Sequence, residues 1–383
     1  MEDRSDLILR LPRSGIREAA ALAGGRSGLA HLEFGEPDAL TPEVIRKAAA
    51  KAIMEQRMVY TPTEGPGELR AAISQKLLEV NGDRVDPDEV FVTHGGIGGI
   101  FVALGAILNP GDGVMLPDPG WPNTVSISVA FGARPHFYPL DAQNGYLPDP
   151  DGWDIPGNTK VISLNSPSNP TGSVFPEDLT KRIVEIARKR GLWILSDEVY
   201  DQIYYDRKPV AVRPLYPERT VSIYSFSKTY AMTGWRLGYF AGPYGMAERV
   251  ASLAETTYTS TSAVAQVAAL AALREAGPTI PGMVRSYRER RDAALKLLET
   301  WGMKAYTPEG AFYLMVDVSE VGEAGDVARR LVEEKGVVTV PGTAFGEVTR
   351  GAIRISLASS LADIRRGLEA VRDLLVAAGA HHS

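Results

Sequence analysis

The stretch Ser225-Phe226-Ser227-Lys228-Thr229, followed by Thr233-Gly234-Trp235-Arg236-Leu237-Gly238, directly succeeds an apolar run of strand length, residues 221–224. A lysine at such a strand end, flanked by hydroxyls and followed eight residues later by an arginine, reads alone about equally well as ordinary surface. Its chemical reading is an amine that forms a Schiff base. Such a lysine needs a lowered pKa, supplied by burial and neighbouring positive charge. Ser225, Ser227 and Arg236 offer hydroxyls and a guanidinium for a phosphate.

Upstream, Ser196-Asp197-Glu198-Val199-Tyr200 closes another apolar run, 192–195. Ligands in open α/β sheets bind at the carboxyl ends of strands, so Asp197 is placed to meet one. A carboxylate beside a pyridine nitrogen keeps it protonated and makes the ring an electron sink; the plain alternative for Asp197 is a helix N-cap. Tyr200 alone reads as a packing residue with a satisfied hydroxyl. Asn165-Ser166-Pro167-Ser168-Asn169-Pro170-Thr171-Gly172 reads by composition as a Pro/Asn/Gly turn. Thr93-His94-Gly95-Gly96-Ile97-Gly98-Gly99 opens a helix after the run 90–93, where glycines let backbone N–H groups approach an anion. Tight packing selects glycine equally well. His94 reads as structural.

Further outward, apolar runs at 114–116, 161–164 and 237–240 alternate with helical patterns such as 176–190 and 245–275. This is the pattern of an α/β protein with a mostly parallel sheet covered by helices. Beyond about Pro281 a charged helix (283–300) leads to strands near 312–318, 337–340 and 352–357 and a last helix, a smaller α+β unit. The expected division is a large domain, 45–280, and a small domain made of 1–44 and 281–383. A length of 383 residues suits two domains better than one core.

Composition narrows the chemistry. Hydrophobic residues make 44% and charged residues 23% of the chain, and the formal charge is −6 with dispersed Lys and Arg, which argues against a nucleic-acid platform. No apolar run has membrane-spanning length and the first residues lack a secretory h-region, so a cytoplasmic location is expected. Without cysteine there is neither a disulfide framework nor thiolate catalysis. The five histidines, His382 in the tail among them, show no metal-ligand spacing, so no metal is expected.

Taken in order, these motifs resemble the class I/II aminotransferases of pyridoxal-phosphate fold type I. The matching pieces include Gly35-Glu36-Pro37-Asp38, Tyr60-Thr61-Pro62, Gly111-Asp112, Asn169-Pro170-Thr171-Gly172, Asp197 with Tyr200, Ser225 through Gly238, Val340-Pro341-Gly342 with Phe345-Gly346, and Arg354-Ile355-Ser356. They cover roughly residues 30 to 360, and their joint order is very specific. The resemblance implies pyridoxal 5'-phosphate as cofactor, Lys228 as its Schiff-base lysine and acid/base, and Asp197 against the pyridine nitrogen. It implies Asn169 and Tyr200 on the phenolic oxygen, and Trp121 stacked on the ring. Gly95, Gly96, Ile97, Ser225, Ser227 and Arg236 would surround the phosphate. Arg354 would clamp the substrate α-carboxylate, helped by Asn169 and the amide of Gly35. Tyr60 would reach the phosphate of a neighbouring subunit, which implies a homodimer with shared sites.

The implied reaction moves an amino group from an L-amino acid to a 2-oxo acid through a pyridoxamine form. A carbon–sulfur β-lyase or other elimination enzyme would use the same lysine, aspartate and arginine. A ligand-sensing regulator on this fold would need a DNA-binding module, and no recognition-helix pattern or basic cluster precedes Gly35. Two departures bear on the substrate. Ala39 stands where an aromatic is usual. Ile97 stands where some dicarboxylate-using relatives carry a basic residue, which favours neutral, apolar or aromatic amino acids, while Arg350 offers a way to read a distal carboxylate.

Overall fold

The computed structural model describes residues 5–12 and 14–379; His382 lies outside the described residues. In chain order the strands are β1 (Ala30–His31), β2 (Val90–Thr93), β3 (Gly113–Asp118), β4 (Arg134–Asp141), β5 (Leu147–Pro148), β6 (Thr159–Asn165) and β7 (Trp193–Asp197). They continue with β8 (Thr220–Ser225), β9 (Gly238–Ala241), β10 (Tyr313–Asp317), β11 (Val337–Val338), β12 (Val340–Pro341) and β13 (Ala352–Ser356). Strands β2 to β9 form one eight-stranded sheet in the order β2-β9-β8-β7-β6-β3-β4-β5. From β4 through β3, β6 and β7 to β8 the neighbours are parallel. Strand β9 runs antiparallel to both β8 and β2.

Continuous apolar runs suit this sheet because its strands are covered on both faces. Val114, Leu116, Val161 and Leu195 pack with the helices Gly95–Ile107 and Met246–Thr257. Their neighbours Met115, Ile162 and Ile194 point the other way, onto Ile183, Val184 and Ala187. Those three, with Thr180, are the buried stripe of the helix Glu177–Arg190. Its ends explain its limits: Glu177 and Asp178 sit in the first turn, Arg188, Lys189 and Arg190 in the last, and Gly191 caps it in the left-handed region at φ 65°. Cutting Ile183 to Ala in this seam removes a fully buried side chain and costs about 2–5 kcal/mol.

The remaining strands form a three-stranded sheet, β10-β13-β12, and a parallel pair, β1-β11. Ile353 and Ile355 of β13 enter a core with Phe312, Leu314, Val337 and the helix Leu361–Ala377. Arg354 between them must therefore present the opposite face.

Three sequence expectations change in detail. The helical pattern 245–275 is two helices, Met246–Thr257 and Ala263–Glu275, because Thr259 takes φ 61° and Ser262 caps the second through Ala265 N at 3.3 Å. The run 337–340 divides between two sheets, β11 pairing with β1 and β12 with β13. Strand β4 escapes the pattern altogether, for its burial is broken and it carries Pro135 and Pro139.

Candidate active site

Asp118, Asn165, Asp197 and Ser225 all end strands of the large sheet: β3, β6, β7 and β8. Parallel register sets Asn165 beside Asp197. Asn165 then fixes the turn beyond it, donating from Nδ2 to the Asp197 carbonyl (3.0 Å) and accepting the Asn169 amide on Oδ1 (2.7 Å). Asp197 itself is buried, with the Val199 amide donating to Oδ1 at 3.3 Å. Burial outweighs that bond and the charge of Lys228, so its carboxyl is pushed up to about 7. Trp121, the residue before the helix Pro122–Ala130, lines a small cavity with Asp197, Asn165 and Thr124.

Lys228 lies in the short helix Phe226–Thr229 that follows β8. Its Nζ donates to the Gly35 carbonyl at 2.6 Å and stands 5.9 Å from the Tyr200 ring centre and 5.8 Å from that of Phe312. Desolvation brings its pKa down to about 8, assisted by Arg354 and Arg236 and opposed first by Glu36. An amine so placed is partly unprotonated near neutrality, as a nucleophile requires.

Beside it lies a cradle for an anion. Gly95 opens the helix Gly95–Ile107, whose first amides lack partners within the helix. Gly95 adopts φ 70°, and a Cβ there would come within 2.8 Å of Arg236 Nη2. At Gly238 a Cβ would sit 2.7 Å from the Gly96 nitrogen, so the antiparallel return strand passes hard against the helix start. Ser225 Oγ accepts the Ser227 amide at 3.1 Å, turning the serine pair toward the same corner. Arg236 is held at Thr233 O by Nη1 (2.7 Å), and no carboxylate pairs with it among the described residues.

Arg354, 1% exposed, is layered between the rings of Tyr313 and Phe345, with its guanidinium carbon 4.3 and 4.8 Å from their centres. Nη1 donates to Asn169 Oδ1 (2.9 Å) and Nη2 to the Glu33 carbonyl (2.5 Å), while Nε is buried without a partner among the described residues. A buried guanidinium with an unsatisfied N–H and, among the described residues, no carboxylate bound to it suits an incoming carboxylate. Asp118 ties this corner to the strand ends by accepting the amides of Glu347 and Val348, both at 3.2 Å.

The structure thus brings together Lys228, Asp197, Tyr200, Asn169, Trp121, Gly35 and Arg354, with Gly95, Gly96, Ile97, Ser225, Ser227 and Arg236 alongside. Tyr60 stands apart, 87% exposed. Arg350 is exposed and pairs with Glu323 and Glu347. His94 packs near Tyr258. Three further contributors were given no role by the sequence. Glu36 is the largest charge influence on Lys228. Tyr313 meets the Tyr200 hydroxyl at 2.8 Å. Glu198, fully buried, holds Ser222 and Tyr224 behind Asp197.

Comparison with known proteins identifies the family and the fold. Residues 28–371 match the family model described as aminotransferase class I and II. The chain is 36% identical to the aspartate aminotransferase of Pyrococcus horikoshii, over 93% of each chain. It is also 36% identical to a probable aspartate/prephenate aminotransferase of Thermus aquaticus, over 92% of this chain and 93% of that one. The structure of the Thermus thermophilus aspartate aminotransferase with maleate superposes with a TM-score of 0.94 at 34% identity, over 98% of this chain and 100% of the other. These are fold type I enzymes that depend on pyridoxal 5'-phosphate, and elimination chemistry is not favoured by them. The chain belongs to the class I and II aminotransferases.

Proposed function

We propose that this aminotransferase moves an amino group from an L-amino acid to a 2-oxo acid with Lys228 as the cofactor-bound amine. The supporting observation is the convergence of a partly unprotonated buried amine, Lys228, with a buried guanidinium, Arg354, that has an unpartnered N–H. Pyridoxal 5'-phosphate, when bound, supplies a protonated ring that spreads the charge left at Cα.

The residues present fit that group. Gly95, Gly96, Ile97, Ser225, Ser227 and Arg236 would hold the phosphate, Asp197 the pyridine nitrogen, Tyr200 and Asn169 the phenolic oxygen, and Trp121 a ring face. A carboxyl pushed up to about 7 by burial gains most from a cationic N–H partner, which returns it to the charged form. Arg354, oriented by Asn169, grips the substrate carboxylate and so turns the Cα–H bond toward Lys228. Lys228 Nζ would then take the proton from Cα and return it to the cofactor carbon on the far side of the transferred nitrogen. Burial by Phe345 and Tyr313 keeps water away from the guanidinium and strengthens its hold.

We also place a large domain at 45–280 and a small one at 1–44 with 281–383; the eight-stranded sheet lies within the first and β10-β13-β12 within the second. Exposed Leu40, Ile53, Met54, Val59 and Tyr60 provide apolar surface for a homodimer in which Tyr60 serves the partner's phosphate. A cytoplasmic location agrees with the lack, among the described residues, of a helix long and apolar enough to cross a membrane.

The test is a half-reaction. Single amino acids, aspartate first because of the relatives' names, are added to the loaded enzyme without an oxo-acid acceptor. Conversion of the cofactor to its amine form with one equivalent of 2-oxo acid supports transfer. Catalytic release of ammonia and pyruvate with the cofactor band unchanged would establish elimination instead.

A further inference from the structure

The Tyr313 hydroxyl occupies a position that the scheme above leaves without a task. It lies 2.8 Å from the Tyr200 hydroxyl, its one hydrogen-bond partner among the described residues. A Cβ on Gly35 would fall 1.8 Å from it, so the backbone that receives Lys228 is pressed against the same oxygen. The Tyr313 ring is the platform under Arg354. One side chain of the three-stranded sheet therefore touches the phenol of Tyr200, the lysine's carbonyl partner and the carboxylate clamp.

We propose that Tyr313 is a positioning residue that donates its proton to Tyr200 and thereby aims the Tyr200 proton at the cofactor's phenolic oxygen. The inference rests on the aminotransferase reading. A tyrosine hydroxyl carries one proton and accepts through its lone pairs. If Tyr200 donated to Tyr313, it would have nothing left to offer the cofactor, and Tyr313 would hold a buried proton with no acceptor. The reverse direction satisfies both groups. Burial keeps both phenols protonated, raising Tyr200 and Tyr313 above their ordinary values. A hydroxyl that accepts a hydrogen bond becomes a better donor, so Tyr313 sharpens the hydrogen bond that Tyr200 makes. That bond draws off the negative charge which would otherwise favour a proton on the nitrogen contributed by Lys228. The same ring carries Arg354, so the setting of that proton and the grip on substrate share one support.

The test is a spectrophotometric pH titration of the bound cofactor in four proteins: wild type, Tyr313→Phe, Tyr200→Phe and the double variant. Each change removes a hydroxyl and keeps the ring. Tyr313→Phe is expected to raise the titration midpoint by about half a unit, a threefold gain in proton affinity, as loss of one neutral hydrogen bond would produce. In the Tyr200→Phe background the same substitution is expected to move nothing. A midpoint unmoved by Tyr313→Phe, or moved equally in both backgrounds, would overturn the assignment and leave Tyr313 as packing. A wild-type protein that acquires no cofactor band at all would instead remove the aminotransferase reading on which it rests.

Discussion

Arg354 and Asn169 lie 185 residues apart in the chain and meet through a hydrogen bond of 2.9 Å, Nη1 to Oδ1. The bond joins the middle strand of the three-stranded sheet to the turn after β6, and it fixes one edge of the guanidinium while Nε remains unpartnered. Arg354→Lys supplies a charge but cannot both hold Asn169 and fork onto a carboxylate. The KM for amino-acid substrates is expected to rise roughly ten- to hundredfold, the worth of a charged hydrogen bond. Steady-state kinetics across several amino acids checks this; an unchanged KM for all of them places the carboxylate clamp elsewhere.

Asp197 makes the cofactor-free protein sensitive to pH. Its folded-state pKa is raised to about 7 from 3.8, so the folded form holds the proton more tightly than the unfolded chain. This group therefore leaves stability unaffected below about pH 3.8, erodes it as pH climbs between 3.8 and 7, and exerts its full cost above 7. Asp197→Asn is therefore expected to raise the Tm of the cofactor-free protein at pH 8 and to change it little at pH 4. With cofactor present the order should reverse at pH 8, because the carboxylate then has its N–H partner. Thermal melts at the two pH values, with and without cofactor, decide it. Equal melting of both proteins at pH 8 would show that the buried carboxylate carries no such cost.

Gly238 sits where β9 passes the start of the helix Gly95–Ile107. A methyl group there meets backbone on three sides, the Gly95 carbonyl carbon, the Gly96 nitrogen and the Tyr224 oxygen, each at 2.7 Å. Backbone must shift, and the amides that face the phosphate shift with it. Gly238→Ala is expected to weaken cofactor affinity at least tenfold, about 1.4 kcal/mol, while KM for the amino acid, measured at saturating cofactor, changes little. A fluorescence titration of cofactor into the stripped enzyme reads the first quantity. Wild-type affinity would show that the helix start does not bind the phosphate.

The sheet was legible because buried parallel strands announce themselves as apolar runs, and the site was legible because its groups follow those strands directly. Asp197, Ser225 and Lys228 stand at strand ends, where ligands meet an open sheet, but each also read as a cap or as surface until the resemblance gave it a role. Strand β4 was not legible. It meets β3 along its length but β5 only at Leu140 and Asp141, so it behaves nearly as an edge and tolerates prolines that a central strand would exclude. Tyr313 was hidden for another reason: within an apolar strand a tyrosine reads as core, and nothing local reveals a hydroxyl partner 113 residues away. Glu36 and Glu198 stood beside recognised residues, yet their influence depends on which way each carboxylate turns in three dimensions. The two-helix break near Thr259 was available in the Ser262 cap and the run of hydroxyl and β-branched residues before it.

The most direct test of the whole account is reduction of the loaded protein with borohydride, followed by mass mapping of the cofactor-bearing peptide, in wild type and Lys228→Ala. One covalent cofactor, on Lys228, is expected in the wild type and none in the folded variant. A cofactor fixed to any other lysine, or still fixed to the variant, would contradict it.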